Sequence, residues 1–122
     1  MNKFLTGKNV TWILRIAVFG EFLGHGMFAL GLKEQWLGWV IKLLGVDRGM
    51  AGNMLMVVGT FDVIVAIIVL VKPIKPILLW AAFWGLFTAL LRPIVGEPFW
   101  DFVERWANWG APLALLYFIK ES

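Results

Sequence analysis

The sequence has no cysteine, one histidine and one tyrosine, and only 16% of its 122 residues are charged. Without thiols there is no disulfide framework, cysteine nucleophile, thiolate zinc site or iron–sulfur cluster. A lone histidine excludes bis-histidine haem ligation within one chain. Lys and Arg number 11 against 8 Asp and Glu, a formal charge of +3, but the basic residues are scattered, so nucleic acid is not an expected partner. No nucleophile–base pair or phosphate-cradling loop is recognisable, which makes a self-contained enzyme the least supported reading.

Apolar residues, by contrast, make up 61% of the chain, including 8 Trp and 10 Phe, and mean hydropathy is +0.82. A soluble domain is about 45–50% apolar, and one this small has too little interior to hide such a surface. Lipid is the expected solvent. Four stretches approach the ~20 apolar residues that span a bilayer: 10–32, 50–71, 74–91 and 98–119. Each predicts a helix, because hydrocarbon forces backbone groups to bond within their own segment.

The expected fold class is therefore an all-α membrane protein. One domain over 1–122 forms an antiparallel bundle of four transmembrane helices, with a short interfacial helix between the first and second. That short helix is read from Trp36, Leu37, Trp39, Val40, Leu43 and Leu44 at helical spacing, with Glu34 and Lys42 opposite. Trp12, Trp36, Trp39 and Trp100 are the expected anchors at headgroup depth. The KPIKP turn at 72–76 should make helices two and three antiparallel neighbours.

Charge gives an orientation. Lys3, Lys8, Lys72, Lys75 and Lys120 fall on one side, Lys33, Lys42, Arg48, Arg92 and Arg105 on the other. The tie is tipped by Arg15 towards both termini in the cytoplasm of a bacterial inner membrane. Arg15, Glu21 and His25 interrupt the first apolar run, so it is expected to stay attached rather than be cleaved as a signal peptide.

Ionisable groups at membrane depth cost about 2.5–3.5 kcal/mol each and need partners or water. Glu21, His25, Asp62, Arg92, Glu104 and Arg105 form such a set, joined by the polar amide of Asn108. Laid antiparallel, the helices bring most of them into the outer half of the bilayer. Glu21 and His25 share a face, as do Glu104 and Asn108, and Asp101 and Arg105. A polar pocket opening to the outer leaflet is the functional expectation. The structural alternative has Glu21, His25 and Asn108 bonding one another to set helix register, Arg15 snorkelling to inner headgroups, and Arg92 and Arg105 reaching lipid phosphates. Trp80, Trp84, Trp106 and Trp109 either wall a pocket for a flat ligand or simply pack. No metal site is expected, since the Glu-x-x-His motif of di-iron bundles is absent and Glu-x-x-x-His occurs once.

Residues 14–33, LRIAVFGEFLGHGMFALGLK, resemble the opening of the DoxX-like family of small four-helix bacterial membrane proteins. The resemblance rests on an early Arg, a glycine-rich stretch with a His-Gly pair and a Lys near the helix end, here Arg15, His25, Gly26 and Lys33. Residues 92–116, RPIVGEPFWDFVERWANWGAPLALL, look like the fourth-helix segment of some members. Members are associated with membrane oxidoreductase systems, including a thiosulfate–quinone oxidoreductase subunit, and with thiol or oxidative-stress chemistry. The lack of cysteine argues against direct thiol chemistry here. The resemblance implies an accessory subunit of a membrane redox system, working with other membrane subunits or as a homo-oligomer, with quinone or another lipid as ligand. Alternatives are a non-enzymatic scaffold, and a small proton-linked transporter with Asp62 and Glu104 as relay.

Overall fold

The computed structural model describes residues 7–121, with side chains as far as 119. Lys3 and the side chain of Lys120, both used in the orientation reading, lie outside the described residues. Those described form six helices: α1 (Gly7–Leu30), α2 (Glu34–Leu44), α3 (Arg48–Val71), α4 (Lys75–Ile94), α5 (Phe99–Val103) and α6 (Ala107–Glu121). Of these α1, α3 and α4 are long and apolar enough to cross a membrane. Their outward side chains, among them Ile13, Ile16, Val57, Ile67 and Phe83, are exposed, as expected where the surroundings are lipid rather than water.

Short connections with defined caps set the helix directions. Gly45 takes the left-handed conformation after α2 (φ 65°), which glycine adopts without steric cost. The Asp47 carboxylate then accepts the Met50 N–H at 2.7 Å to start α3. At the end of α1 the left-handed residue is Leu32 (φ 53°), one position beyond Gly31. The Lys33 N–H reaches back to the Phe28 carbonyl at 3.1 Å, and the Leu32 side chain covers Gly52, so packing offsets the strained backbone.

The most extensive pairing is α1 with α3, followed by α4 with α6. Arg15 meets Leu70 and Val71, Gly26 meets Gly59, and Leu32 meets Gly52. Numbers rising on one helix as they fall on the other make α1 and α3 antiparallel. Small residues permit the close crossing: a Cβ on Gly59 would lie 2.9 Å from the Gly26 carbonyl oxygen. One core is built from Val18 and Phe22 of α1, Val65, Ala66 and Val69 of α3, Leu78 and Ala81 of α4, and Leu115 of α6. A second cluster, Ala29, Leu37, Ala51 and Leu55, seats α2 against the ends of α1 and α3.

The fourth apolar stretch departs from the single helix expected over 98–119. It is divided into α5, a turn at 104–106 and α6. In a continuous helix the Asp101 carbonyl would take the Arg105 N–H; here that N–H goes to Phe102 at 3.2 Å. The Arg105 guanidinium occupies the Asp101 carbonyl instead, at 2.8 Å, and bonds Glu104 at 2.8 Å. Pro112, buried inside α6, removes the donor that Asn108 would otherwise meet. At about 22 Å for its 15 residues, α6 is shorter than the ~30 Å hydrocarbon layer.

Arg15 has a structural role at the far end of the α1–α3 pair. Its guanidinium donates to the carbonyls of Leu70 and Val71, the latter at 3.1 Å, and lies 3.9 Å from the centre of the Trp12 ring. The last carbonyls of α3 are thus capped by a cation on the neighbouring helix. Arg15→Met keeps the apolar stem but removes both bonds. It should lower stability in detergent by about 1.5–3 kcal/mol, the scale of a hydrogen bond to a charged group, as read by denaturant-induced loss of helicity. An unchanged transition would show that headgroup water caps those carbonyls equally well.

Candidate functional site

A cleft of about 300 Å³ lies between α2, α3 and α4, with His25 of α1 contributing from behind. Its walls are almost wholly apolar. Trp36, Trp39, Leu43 and Leu44 come from α2, Met54, Leu55 and Val58 from α3, and Trp84, Phe87 and Leu91 from α4. Set into this lining are His25, Asp62, Thr88 and Arg92. The volume is at the lower end of small-molecule sites, and an apolar wall with a few polar groups is their usual composition.

Two ionisable groups are buried here, one acid and one base. Asp62 is 2% exposed and Arg92 6%. The ion pairs among the described residues are Arg48 with Glu34 and Arg105 with Glu104, so Asp62 and Arg92 do not pair with each other. Arg92 lies instead with its guanidinium carbon 4.5 Å from the centre of the Trp39 ring, and its buried Nε has no hydrogen-bond partner. Asp62 likewise accepts no hydrogen bond from a described residue. The Thr88 hydroxyl is turned back onto its own helix, 2.9 Å from the Trp84 carbonyl. His25 meets the Trp36 ring edge-on at 5.7 Å between centroids.

The connectivity fixes where these groups sit. Counting from the 72–74 turn, Asp62 on α3 and Trp84 on α4 are level, because the helices run antiparallel from that point. Arg92 lies eight residues beyond Trp84, about 12 Å further along the axis at 1.5 Å per residue. Asp62 and Arg92 thus line the cleft from backbone positions at different levels of the bundle. Beyond α4 the chain turns at Gly96 (φ 100°), and the Arg92 carbonyl accepts the Glu97 N–H at 2.9 Å.

Helix α2 closes the site and is tied down along its length. Glu34 pairs with Arg48, Gln35 donates to Glu97 at 3.0 Å, and Lys42 donates to the Val95 carbonyl at 2.9 Å. Trp36 and Trp39, expected as headgroup anchors, face the cleft. Trp12 and Trp100 are exposed, the latter at 72%.

Of the polar residues expected to converge, the structure brings His25, Asp62 and Arg92 to one cavity. Glu21 is half-buried one turn before His25, with a buried Oε2 lacking a partner and Asp62 within electrostatic reach. No hydrogen bond joins Glu21, His25 and Asn108 among the described residues. Glu104 is exposed and bonded to Arg105. Asn108 acts through its backbone, its carbonyl facing Gly85. Trp84 lines the cleft and stacks on Trp80 at 5.3 Å. The described residues hold no group of three carboxylate or imidazole side chains arranged for a metal.

Residues that sequence reasoning did not place here are Met54, Val58, Phe87, Thr88 and the inward faces of Trp36 and Trp39. The helical spacing of Trp36, Trp39, Val40 and Leu43 marked one apolar face, but not whether that face met lipid or a cavity. No family model, curated protein or solved structure matches this chain.

Proposed function

We propose that the chain crosses a bacterial inner membrane four times and binds a lipid-soluble ring compound, such as a quinone, in the cleft beneath α2. The fourth crossing is the α5–α6 pair, antiparallel to α4, and both termini lie in the cytoplasm. A place in the core for Leu115 of α6 beside residues of α1, α3 and α4 supports a four-helix bundle. The DoxX-like resemblance supports an accessory role in a membrane redox system, beside other membrane subunits or further copies of the chain.

The observation that carries the ligand reading is a pair of buried polar groups, the Asp62 carboxyl and the Arg92 guanidinium, with no ion pair among the described residues, in one aromatic cleft. Buried polar groups lacking hydrogen-bond partners are costly. A scaffold has no use for them at a cavity wall, whereas a ligand with oxygen functions satisfies them on binding. The Asp62–Glu104 relay of a transporter receives less support, because Glu104 is outside the cleft lining and bonded to Arg105.

Protein extracted from quinone-containing membranes should carry quinone detectable by mass spectrometry. Titration of stripped protein with menadione should quench tryptophan fluorescence saturably, since Trp36, Trp39 and Trp84 line the cleft. A clean extract together with unsaturable quenching would overturn the reading.

A further inference from the structure

We infer that the cleft takes an acidic ring compound, its ionised oxygen held at Arg92, in preference to a neutral ring compound of the same size. This rests on the ligand reading above and adds the charge of the ligand.

The inference starts from Arg92. Arginine stays charged in proteins and carries hydrogen-bond donors alone; here the side chain is 6% exposed and lines the cleft. It enters neither of the ion pairs among the described residues, and its buried Nε has no hydrogen-bond partner. The Trp39 ring touches the guanidinium but supplies no anion. Other cations stand around the same corner: His25, also on the lining, lies within electrostatic reach of Arg92, Arg105 and Lys33. Asp101, Glu97 and Glu104 act on Arg92 through space alone. Glu97 already accepts from Gln35, and Glu104 from Arg105.

A neutral carbonyl can accept from Arg92, but an anion gains more. The guanidinium left water when the chain folded, so binding adds only the ligand's own desolvation, and a hydrogen bond with both partners charged is roughly twice as strong as a neutral one. The rest of the lining does not discriminate. The Thr88 hydroxyl is turned onto the Trp84 carbonyl, and Trp36, Trp39, Trp84 and Phe87 meet the ring of either compound alike. Asp62, the acid on the same lining, opposes an anion to whatever extent it is charged, so Arg92 is the group that draws one in.

The test uses three probes built on one naphthoquinone ring: lawsone, whose hydroxyl is ionised at neutral pH, its methyl ether, and menadione, in which a methyl group replaces that hydroxyl. Because the chain has no cysteine, none of them forms a thiol adduct. Affinities for the full-length protein in a neutral detergent are measured by equilibrium dialysis, each corrected for partition into protein-free micelles. Lawsone should bind at least about tenfold more tightly than either neutral probe, the scale of one charge-assisted hydrogen bond. In Arg92→Met the ratio should fall to one, in Arg92→Lys part of it should remain, and in Asp62→Asn it should hold or rise. Equal affinities in the wild-type protein, or tighter binding of a neutral probe, would overturn the inference while leaving the ligand reading standing. A preference kept in Arg92→Met would overturn it too. Binding of none of the three would overturn the ligand reading itself, and this inference with it. The wild-type comparison needs no variant, so a folding defect in Arg92→Met does not rescue the proposal.

Discussion

Replacing Gly85 with alanine is expected to separate α4 from α6 and destabilise the protein by at least about 3 kcal/mol, the upper end of overpacking effects. A Cβ there would lie 2.2 Å from the Asn108 carbonyl oxygen and 2.6 Å from its carbon. Both are backbone atoms, so no rotamer change relieves the clash, and one helix must move. The crossing is tight for a reason written in the sequence. Gly85 sits in a buried small-residue stripe with Ala81 and Ala89, and Pro112 has left the Asn108 carbonyl without its helical donor. That carbonyl is therefore free to press against the glycine backbone of α4. Gly85→Leu should yield no monodisperse protein after detergent extraction. Gly24→Ala is the matched control, because a Cβ there meets nothing within 4 Å, and its stability should be unchanged or slightly raised. Size-exclusion profiles and denaturant transitions of the three variants decide the matter. A Gly85→Ala protein as stable as wild type would mean that the α4–α6 contact is looser than the structure has it.

The same proline shows where the sequence was legible. Long apolar runs define α1, α3 and α4 to within three residues at either end, because in lipid a backbone has few alternatives to the helix. The short helix α2 also follows from its spacing. The break in the fourth stretch does not, since it depends on Arg105 choosing the Asp101 carbonyl over solvent or lipid phosphate. No periodicity encodes that choice. At the site, the cost of charge in hydrocarbon singled out His25, Asp62 and Arg92 without any structure. It also singled out Glu104 and Arg105, whose side chains satisfy each other at the turn. The cleft walls were hidden for a different reason. In water an apolar face points inward, but in a bilayer lipid-facing and cavity-facing residues have the same composition, so Trp36 and Trp39 carry no signature of direction. The contact between Trp39 and Arg92 joins residues far apart in the chain, and one sequence contains no trace of it.

Arg92→Met should raise or preserve the stability of the ligand-free protein while weakening ligand binding at least about tenfold. Two terms oppose each other in the ligand-free state. The guanidinium gains from the Trp39 ring at 4.5 Å, a contact worth about 2 kcal/mol when desolvated. Against this stands the desolvation of a cation that is 6% exposed, with its Nε unpartnered and no carboxylate bonded to it. That penalty is still several kcal/mol after relaxation, so it outweighs the ring contact, and an unbranched apolar side chain of similar length relieves it. On the proposed reading the balance reverses in the bound state, because the guanidinium then donates to a ligand oxygen. A residue kept in spite of its cost to the folded chain belongs to the binding machinery, whereas a residue holding helices together loses stability on replacement. Denaturant transitions and menadione titrations of the same Arg92→Met preparation separate the two. A marked loss of stability with binding intact would assign Arg92 to the scaffold. Stability retained with binding lost would identify the cleft as a place where this protein holds charge for a ligand.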